Sequence, residues 1–382
     1  MVVASFIAFL LIEIVVRVWR VFRETFLEES FRRQDFLDPR YHEYINWTDT
    51  WNKPMFTYIP VGMRVFNDDN PITPVTTNSL GFRCPEFRAK VKGEYRIVIL
   101  GGSAAWGFGA SGNDTTIAGH LERICREQQP ALPEGFDFVS VWNMAQVNQT
   151  QTQDILTATL LLPDLIPDTV ISFTGWNELV GSATMDLRFL ENYSIFPINE
   201  LVGWSPMQMV SNTKNILIDT FFTFFSRKFD AINWLQSKRN VRAPLIKRSI
   251  PEASAIATPL YLKNLKKLVS ISKAFDFEHF QFLQPNFYRK LHPSPIEARA
   301  IDLYDEHRPV LGGKATGDFL RNNNIYQSLI DAVNGPDEYG QVIDLSDIFY
   351  EEQETMFYSP VHCTDAGYEL IAQRMYGTIF PK

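Results

Sequence analysis

The strongest constraint on the fold is a regular alternation of short apolar runs with helical segments, which begins near residue 95. Residues 95–100, 136–142 and 169–173 have the length and composition of buried parallel strands, and two shorter runs follow at 280–283 and 342–345. Segments with helical periodicity separate and follow these runs, at 114–126, 152–162, 261–275 and 366–376. Strands that alternate with helices predict a three-layer α/β/α domain with a parallel central sheet.

Composition excludes several classes of protein. Of the 382 residues, 45% are hydrophobic and 21% are charged, as in ordinary globular domains, so a disordered or fibrous chain is excluded. The net charge of -8, with no basic stripe, argues against a nucleic-acid partner. Cys84, Cys125 and Cys363 are too widely spaced for a zinc site or a disulfide scaffold, so we expect free, mostly buried thiols. Because no metal-ligand cluster or phosphate-binding loop stands out, we predict neither a metal nor a cofactor.

Residues 1–23 are predicted to form a membrane anchor helix. Residues 2–12 are almost wholly apolar, and Glu13 and Arg17 are four residues apart, so they can pair on one side of a helix. Trp19 suits an interfacial position. A cleaved signal peptide, an interfacial amphipathic helix and a soluble core helix are the alternatives, although no basic n-region or small-residue cleavage site supports the signal peptide.

The rest of the chain divides into a lead-in segment and a main domain. Residues 24–90 are rich in proline and aromatic residues, which indicates a segment that packs on the main domain with short strands at most. Residues 91–382 form the predicted main domain. We expect an insertion at about 180–260, where the periodicity weakens.

Two residues in this pattern suggest nucleophilic catalysis. Ser103 follows the first strand after Gly101 and Gly102, and the carboxyl ends of parallel strands are where open α/β sheets place their sites. A serine hydroxyl is a weak nucleophile and needs a base, for which His362, just before the last helix, is the candidate. Taken alone, Ser103 could equally be a turn residue and His362 a structural histidine.

Four motifs then occur in a characteristic order. They are LGGSAAWG around Ser103, Asn143 after the second strand, GWNE around Asn177, and HCTDAG from His362. Together with NSLGFR in the lead-in, this set resembles the SGNH (GDSL-like) hydrolase superfamily, including its bacterial membrane-anchored type, from about residue 78 to the C-terminus. The resemblance implies the flavodoxin-like SGNH hydrolase fold.

The resemblance also implies a role for each matching residue. Ser103 matches the nucleophile, and His362 matches the general base that takes its proton and returns it to the leaving alcohol. The oxyanion hole would comprise the backbone N–H of Ser103, the side chain of Asn177 and the backbone N–H of Asn148. Asn148 stands where the family usually has a glycine.

One position departs from the family pattern in a way that matters for catalysis. The family usually carries an aspartate three residues before the histidine, where this chain has Ser359. A serine oxygen can accept the imidazole N–H and orient the ring, but it brings no negative charge. The site would then work as a Ser–His dyad, or a carboxylate from elsewhere would replace the aspartate, or hydrolysis would be lost. The candidate carboxylates are Asp365, Asp344, Asp347 and Glu354.

Two functions are therefore expected. The first is a serine esterase or acyl hydrolase, or a related acyltransferase, that acts on an acylated small molecule or glycan, such as an O-acetylated exported or envelope polysaccharide. The second is a catalytically impaired domain that serves as a glycan-binding or assembly subunit, which Ser359 favours. The resemblance implies an extracytoplasmic domain, whereas Arg17, Arg20 and Arg23 after the apolar run favour the cytoplasm. We expect the extracytoplasmic side.

Overall fold

The computed structural model describes residues 75–147, 149–184, 248–307, 314–333 and 336–381, together with 17–18, 56–59 and 62–65. Residue contacts divide the chain into two compact units. The unit of residues 1–36 and 196–245 lies outside the described residues apart from 17–18. The unit of residues 37–195 and 246–382 contains every strand and helix described below.

A five-stranded parallel sheet forms the centre of this unit. It follows an antiparallel pair of short strands, β1 (Phe56–Ile59) and β2 (Gly62–Val65). The sheet strands are β3 (Glu94–Gly101), β4 (Phe138–Asn143), β5 (Thr169–Thr174), β6 (Glu278–Leu283) and β7 (Gln341–Asp344). Their spatial order is β4-β3-β5-β6-β7, which is the 2-1-3-4-5 order of flavodoxin-like folds. The prediction of a parallel α/β sheet is therefore confirmed.

Eleven α-helices accompany the strands in the described part of this unit. In chain order they are α1 (Ser103–Trp106), α2 (Ile117–Gln128), α3 (Gln151–Leu160), α4 (Leu162–Leu165), α5 (Trp176–Thr184), α6 (Ile250–Phe275), α7 (Pro295–His307), α8 (Lys314–Asn322), α9 (Gln327–Ala332), α10 (Pro336–Tyr339) and α11 (Asp365–Ile379).

Both faces of the sheet are buried, so the domain has three layers. Alternate residues of β3 enter two separate hydrophobic clusters, with Ile97 and Ile99 in one and Val98 and Leu100 in the other. Side chains of α2 and α11 complete the first cluster, and side chains of α3, α4 and the second half of α6 complete the second. The strands lack the polar alternation of a solvent-exposed sheet because helices cover both of their faces.

Helix α6 begins earlier than the sequence pattern predicted. The sequence predicts a helix only from residue 261, because the helical periodicity is weak as far as about Pro259. Ser249 and Glu252 form a capping box that starts the helix at Ile250, and the helix then continues through Pro259. The insertion predicted at about 180–260 therefore ends before residue 250. Its residues 185–247 lie outside the described residues.

The described residues include only small parts of the predicted membrane anchor and of the predicted lead-in segment. The predicted anchor over residues 1–23 lies outside them except for Arg17 and Val18, which are helical. In the ranges that the structure describes, no helix combines the length and hydropathy needed to cross a membrane. Of the lead-in, the stretch 75–90 packs on the main domain, where Phe82 joins the cluster that contains Val98.

The three cysteines match the sequence prediction. Cys84, Cys125 and Cys363 are buried and free. Burial raises the pKa of the Cys84 and Cys125 thiols to about 12, with smaller contributions from Glu86 and Glu122. They therefore behave as small apolar side chains rather than as reactive thiolates.

Glu94 and Arg96 form a buried ion pair at the start of β3. Arg96 Nη2 lies 2.9 Å from Glu94 Oε2, and both side chains are inaccessible to solvent. Burial by itself would raise the pKa of Glu94, but hydrogen bonds from Arg96, Arg88 and Ser140 hold it below its usual range. The stability that this carboxylate contributes is present above its unfolded-state pKa and is lost as the pH falls through its lower folded-state pKa.

Replacing Glu94 by Gln should lower the free energy of unfolding at pH 7 by about 3–5 kcal/mol, because the buried guanidinium of Arg96 loses its counter-charge. Urea denaturation would measure the change. Lys266→Met is the control, since it breaks the exposed pair of Lys266 and Glu338 and should change the midpoint far less. Equal losses in the two variants would contradict a special role for the buried pair.

Candidate active site

The candidate site lies where the strand order of the sheet reverses. From β3 the chain first adds β4 on one side and later β5 on the other, so the carboxyl ends of β3 and β5 flank a crevice. Ser103 follows β3, and Asn177 follows β5. The fold therefore brings these two predicted residues to the position where open α/β sheets bind their ligands.

Two glycines make the turn that presents Ser103. Gly101 has a φ of +138°, and a Cβ atom there would lie 2.3 Å from the carbonyl oxygen of Phe173. A Cβ atom on Gly102 would lie 2.4 Å from Asn177 Nδ2. Any larger residue would push away the end of β5 or the Asn177 amide, so the two glycines allow Ser103 to begin α1 beside Asn177.

Two consecutive hydrogen bonds join Ser103, His362 and Ser359. His362 Nε2 is 2.8 Å from Ser103 Oγ, and His362 Nδ1 is 2.7 Å from Ser359 Oγ. In the tautomer whose Nε2 accepts the Ser103 hydroxyl, Nδ1 carries the proton and donates it to Ser359 Oγ. The structure therefore brings together Ser103 and the pair of Ser359 and His362, which were predicted as site residues from two separate motifs.

The turn that carries His362 is anchored at its base. Its two ends meet in an antiparallel bridge between Phe357 and Cys363. The buried carboxylate of Glu297 accepts the N–H groups of Met356 and Phe357 at 2.8 and 3.0 Å. Because both ends of this short turn are fixed, its imidazole is held within hydrogen-bond distance of Ser103.

Among the described residues, no carboxylate contacts His362 at the position where the resembled family carries an aspartate. The four candidates from the sequence are engaged elsewhere or exposed: Asp365 accepts from Ser111, Asp344 from Asn324 and Ser346, Asp347 pairs with Arg289, and Glu354 is at the surface. The structure thus contradicts the alternative that one of them orients His362. Burial lowers the pKa of His362 to about 4, and no neighbouring charge counteracts this effect.

Asn177 is oriented by a backbone carbonyl. Its Nδ2 atom donates to the Gln149 carbonyl oxygen at 2.7 Å, which fixes the plane of the amide. A primary amide has two N–H donors, so a second one is available to an oxygen atom in the crevice. Asn148, whose backbone N–H was the third predicted donor, lies outside the described residues.

Two residues that were not predicted from the sequence also shape this site. The ring centroid of Phe108 lies 4.7 Å from that of His362. The buried guanidinium of Arg83 donates to the carbonyl oxygens of Gly107 and Gly112 at 2.7 and 2.8 Å, and so holds the loop that carries Phe108. Arg83 was visible only as the last residue of the NSLGFR motif. No local sequence pattern predicts that Phe108 contacts His362, which lies more than 250 residues later in the chain.

A second serine–histidine pair lies inside the protein. Ser172 Oγ and His279 Nε2 are 3.0 Å apart on the neighbouring strands β5 and β6. Ser172 is fully inaccessible, whereas Ser103 retains 9% of its surface at the edge of the sheet. Both serines contact a histidine, so the hydrogen bond does not distinguish the two pairs. They differ in solvent access to the serine, which only Ser103 has. Within the described ranges, no group of three or more His, Cys, Asp or Glu side chains is arranged to hold a metal ion.

Comparisons with known proteins add no family assignment. No family model matches the sequence, and no curated protein was found to match it. Among solved structures, an acetyl-xylooligosaccharide esterase from Geobacillus stearothermophilus is 14% identical, with a TM-score of 0.37, over 75% of this chain and 95% of its own. A putative acylhydrolase from Bacteroides fragilis is 9% identical, with a TM-score of 0.36, over 75% and 86% of the two chains. An acetyl xylan esterase is 11% identical, with a TM-score of 0.36, over 74% and 99%. Likenesses this low carry no argument, so the interpretation of the site depends on its own geometry.

Proposed function

We propose that this chain is a serine ester hydrolase that acts on O-acyl esters through an acyl intermediate on Ser103. The observation that carries the proposal is the 2.8 Å contact between Ser103 Oγ and His362 Nε2 at the reversal point of an open α/β sheet. A nucleophile and its base must lie within hydrogen-bond reach of each other, and these two atoms do.

In the proposed reaction, His362 Nε2 takes the hydroxyl proton as Ser103 Oγ attacks the acyl carbon. The oxyanion that develops would be stabilised by the Asn177 amide and the Ser103 backbone N–H, with Asn148 as the third expected donor. The proton then passes from Nε2 to the departing alcohol as the ester C–O bond breaks. Water, activated by the same imidazole, releases the acid and regenerates Ser103. A second alcohol in place of water would complete an acyl transfer instead.

We expect ester hydrolysis to be slow, because Ser359 stands beside His362 where a carboxylate would speed the reaction. Its hydroxyl accepts the Nδ1 proton and orients the imidazole, but it cannot neutralise the imidazolium that forms in the transition state. Loss of a triad carboxylate costs about 10⁴-fold in rate in a serine protease, which sets the scale of the deficit.

The proposals on substrate, membrane anchor and location have less support than the proposal of a serine ester hydrolase. We propose an O-acetylated exported or envelope polysaccharide as the substrate, a membrane anchor at residues 1–23 and an extracytoplasmic site. The support for all three is the resemblance of the sequence motifs and the apolar N-terminal run.

The proposed nucleophile can be tested with a fluorophosphonate, which forms a stable adduct with an activated serine. Intact-mass spectrometry of the full chain should detect one adduct, which is absent from Ser103→Ala. Ser172→Ala is the matched control, because Ser172 belongs to the buried serine–histidine pair; it should keep the adduct. An adduct that persists in Ser103→Ala would contradict the assignment.

A second function is favoured by one observation, the neutral side chain beside His362. A domain that had lost hydrolysis could keep the crevice for binding glycans or for assembly. Wild-type protein that forms no adduct, but binds O-acetylated oligosaccharides equally well with and without Ser103→Ala, would favour this alternative.

A further inference from the structure

Among the residues that the structure describes, no charged group faces the imidazole of His362. Its two ring nitrogens meet the hydroxyl groups of Ser103 and Ser359, and burial alone accounts for its lowered pKa. The charged side chains on the surrounding elements are engaged with other partners or exposed: Arg83 with the 107–113 loop, Asp365 with Ser111, Glu297 with Lys290, Arg289 with Asp347, and Asp114 and Glu354 at the surface. An imidazolium at this position therefore needs another source of stabilisation.

The ring of Phe108 is close enough to act on that charge. Its centroid is 4.7 Å from the imidazole centroid, with an angle of 45° between the two planes. The face of an aromatic ring carries partial negative charge and attracts cations within about 6 Å of its centroid. Phe108 is itself buried, with 8% of its surface exposed, so solvent screens this attraction only weakly.

The backbone of Phe108 is fixed on both sides. Its N–H donates to the Ser103 carbonyl oxygen at 3.0 Å, and its carbonyl oxygen accepts from Tyr368 Oη at 2.7 Å. The Arg83 guanidinium holds the preceding carbonyl, that of Gly107. The backbone that carries the buried ring is therefore held in place before any charge develops on His362.

We propose that Phe108 is a positioning residue whose aromatic ring, packed against His362, stabilises the protonated imidazole in the place of the missing carboxylate. This inference rests on the proposed function, because the charge arises when the Ser103 hydroxyl proton moves to Nε2 as the bond from Oγ to the acyl carbon forms. The charge disappears when the same proton leaves with the alcohol. The ring thus acts mainly on the transition state and not on substrate binding.

The test replaces Phe108 by phenylalanine carrying one, two or three fluorine atoms. Fluorine withdraws electron density from the ring face with little change of shape. With each fluorine, kcat for p-nitrophenyl acetate should fall, by about three- to tenfold over the series, while KM stays unchanged. The pKa of His362, followed by NMR without substrate, should fall in parallel. The same series at Phe280, a buried phenylalanine on β6, should change neither quantity.

Two outcomes separate this inference from the proposed function. If the wild type hydrolyses esters but kcat and the pKa of His362 stay constant or rise along the series, the ring does not stabilise the imidazolium and this inference is overturned. If the wild type hydrolyses no ester, the proposed function fails, and the NMR series still decides whether the ring interacts with the protonated imidazole.

Discussion

Replacing Ser359 by Asp should raise kcat for ester hydrolysis, by about 100-fold and by no more than about 10⁴-fold. In the proposed reaction, Nδ1 of the wild-type imidazolium donates to the neutral hydroxyl of Ser359, whose Oγ atom lies 2.7 Å away. A carboxylate at that position adds a charge-assisted hydrogen bond, about twice as strong as a neutral one. Steady-state kinetics with p-nitrophenyl acetate at pH 7 would measure the gain.

The control is Ser359→Asn, which has nearly the same shape as the aspartate but no charge, and should give no such gain. The pH profile adds a second readout. The wild-type kcat/KM should stay level from neutral pH to about pH 5 and be half lost near pH 4, because protonated His362 cannot accept the Ser103 proton. A carboxylate raises the pKa of His362, so the acid limb of Ser359→Asp should move to higher pH. Identical rates and profiles for the Asp and Asn variants would argue against His362 as the base.

This experiment also bears on the choice between an enzyme and a binding domain. If the wild type is inactive and Ser359→Asp is active, then the crevice, nucleophile and oxyanion donors are intact, and only the charge is missing. That result would favour a domain that descends from a hydrolase and now binds its ligand. A wild type that is already active would favour the slow hydrolase.

Replacing Asn177 by Ala should lower kcat by about 10²–10³-fold, the loss seen when a side-chain oxyanion donor is removed. The Asn177 amide is oriented by its hydrogen bond to the Gln149 carbonyl oxygen, at 2.7 Å, and touches the turn that precedes Ser103. Because the contact strengthens only when the oxyanion forms, KM should change little. Steady-state kinetics on the same ester would separate the two constants.

Asn264→Ala provides the comparison for Asn177→Ala. Asn264 is a buried asparagine on α6 whose amide donates to Thr152 Oγ1. Its replacement should lower the denaturation midpoint and leave kcat unchanged. If Asn177→Ala keeps kcat within about threefold of the wild type, its amide is not an oxyanion donor of the expected strength.

The sheet could be predicted because its signals are local. The run 95–100 is apolar because both faces of β3 are covered, and the glycines at 101 and 102 mark its end. The same logic located β4, β5, β6 and β7, each to within two residues. It failed at the start of α6, where the capping box at Ser249 outweighed the helix-breaking tendency of Pro259.

The sequence predicted those residues of the site that directly follow a strand or directly precede a helix. Ser103 and Asn177 lie directly after β3 and β5, so the parallel topology brings them to one edge of the sheet. Phe108 and Arg83 lie in irregular segments. Their neighbours depend on how loops from distant parts of the chain pack together, and no residue pattern encodes that packing.

The sequence by itself determined the α/β class and the parallel sheet, because strand and helix periodicity are properties of neighbouring residues. It also identified Ser103, Asn177 and Ser359 as the residues to consider, because each belongs to a short motif at a strand or helix end. Only the tertiary structure decided what surrounds His362. It places Ser359 Oγ beside His362 Nδ1 and packs Phe108 against the imidazole ring. Of the candidate carboxylates, three bind other groups and Glu354 is exposed. The environment of the half-buried His362 imidazole is set by contacts between segments that the fold brings together. Those contacts determine how a charge on the imidazole is stabilised.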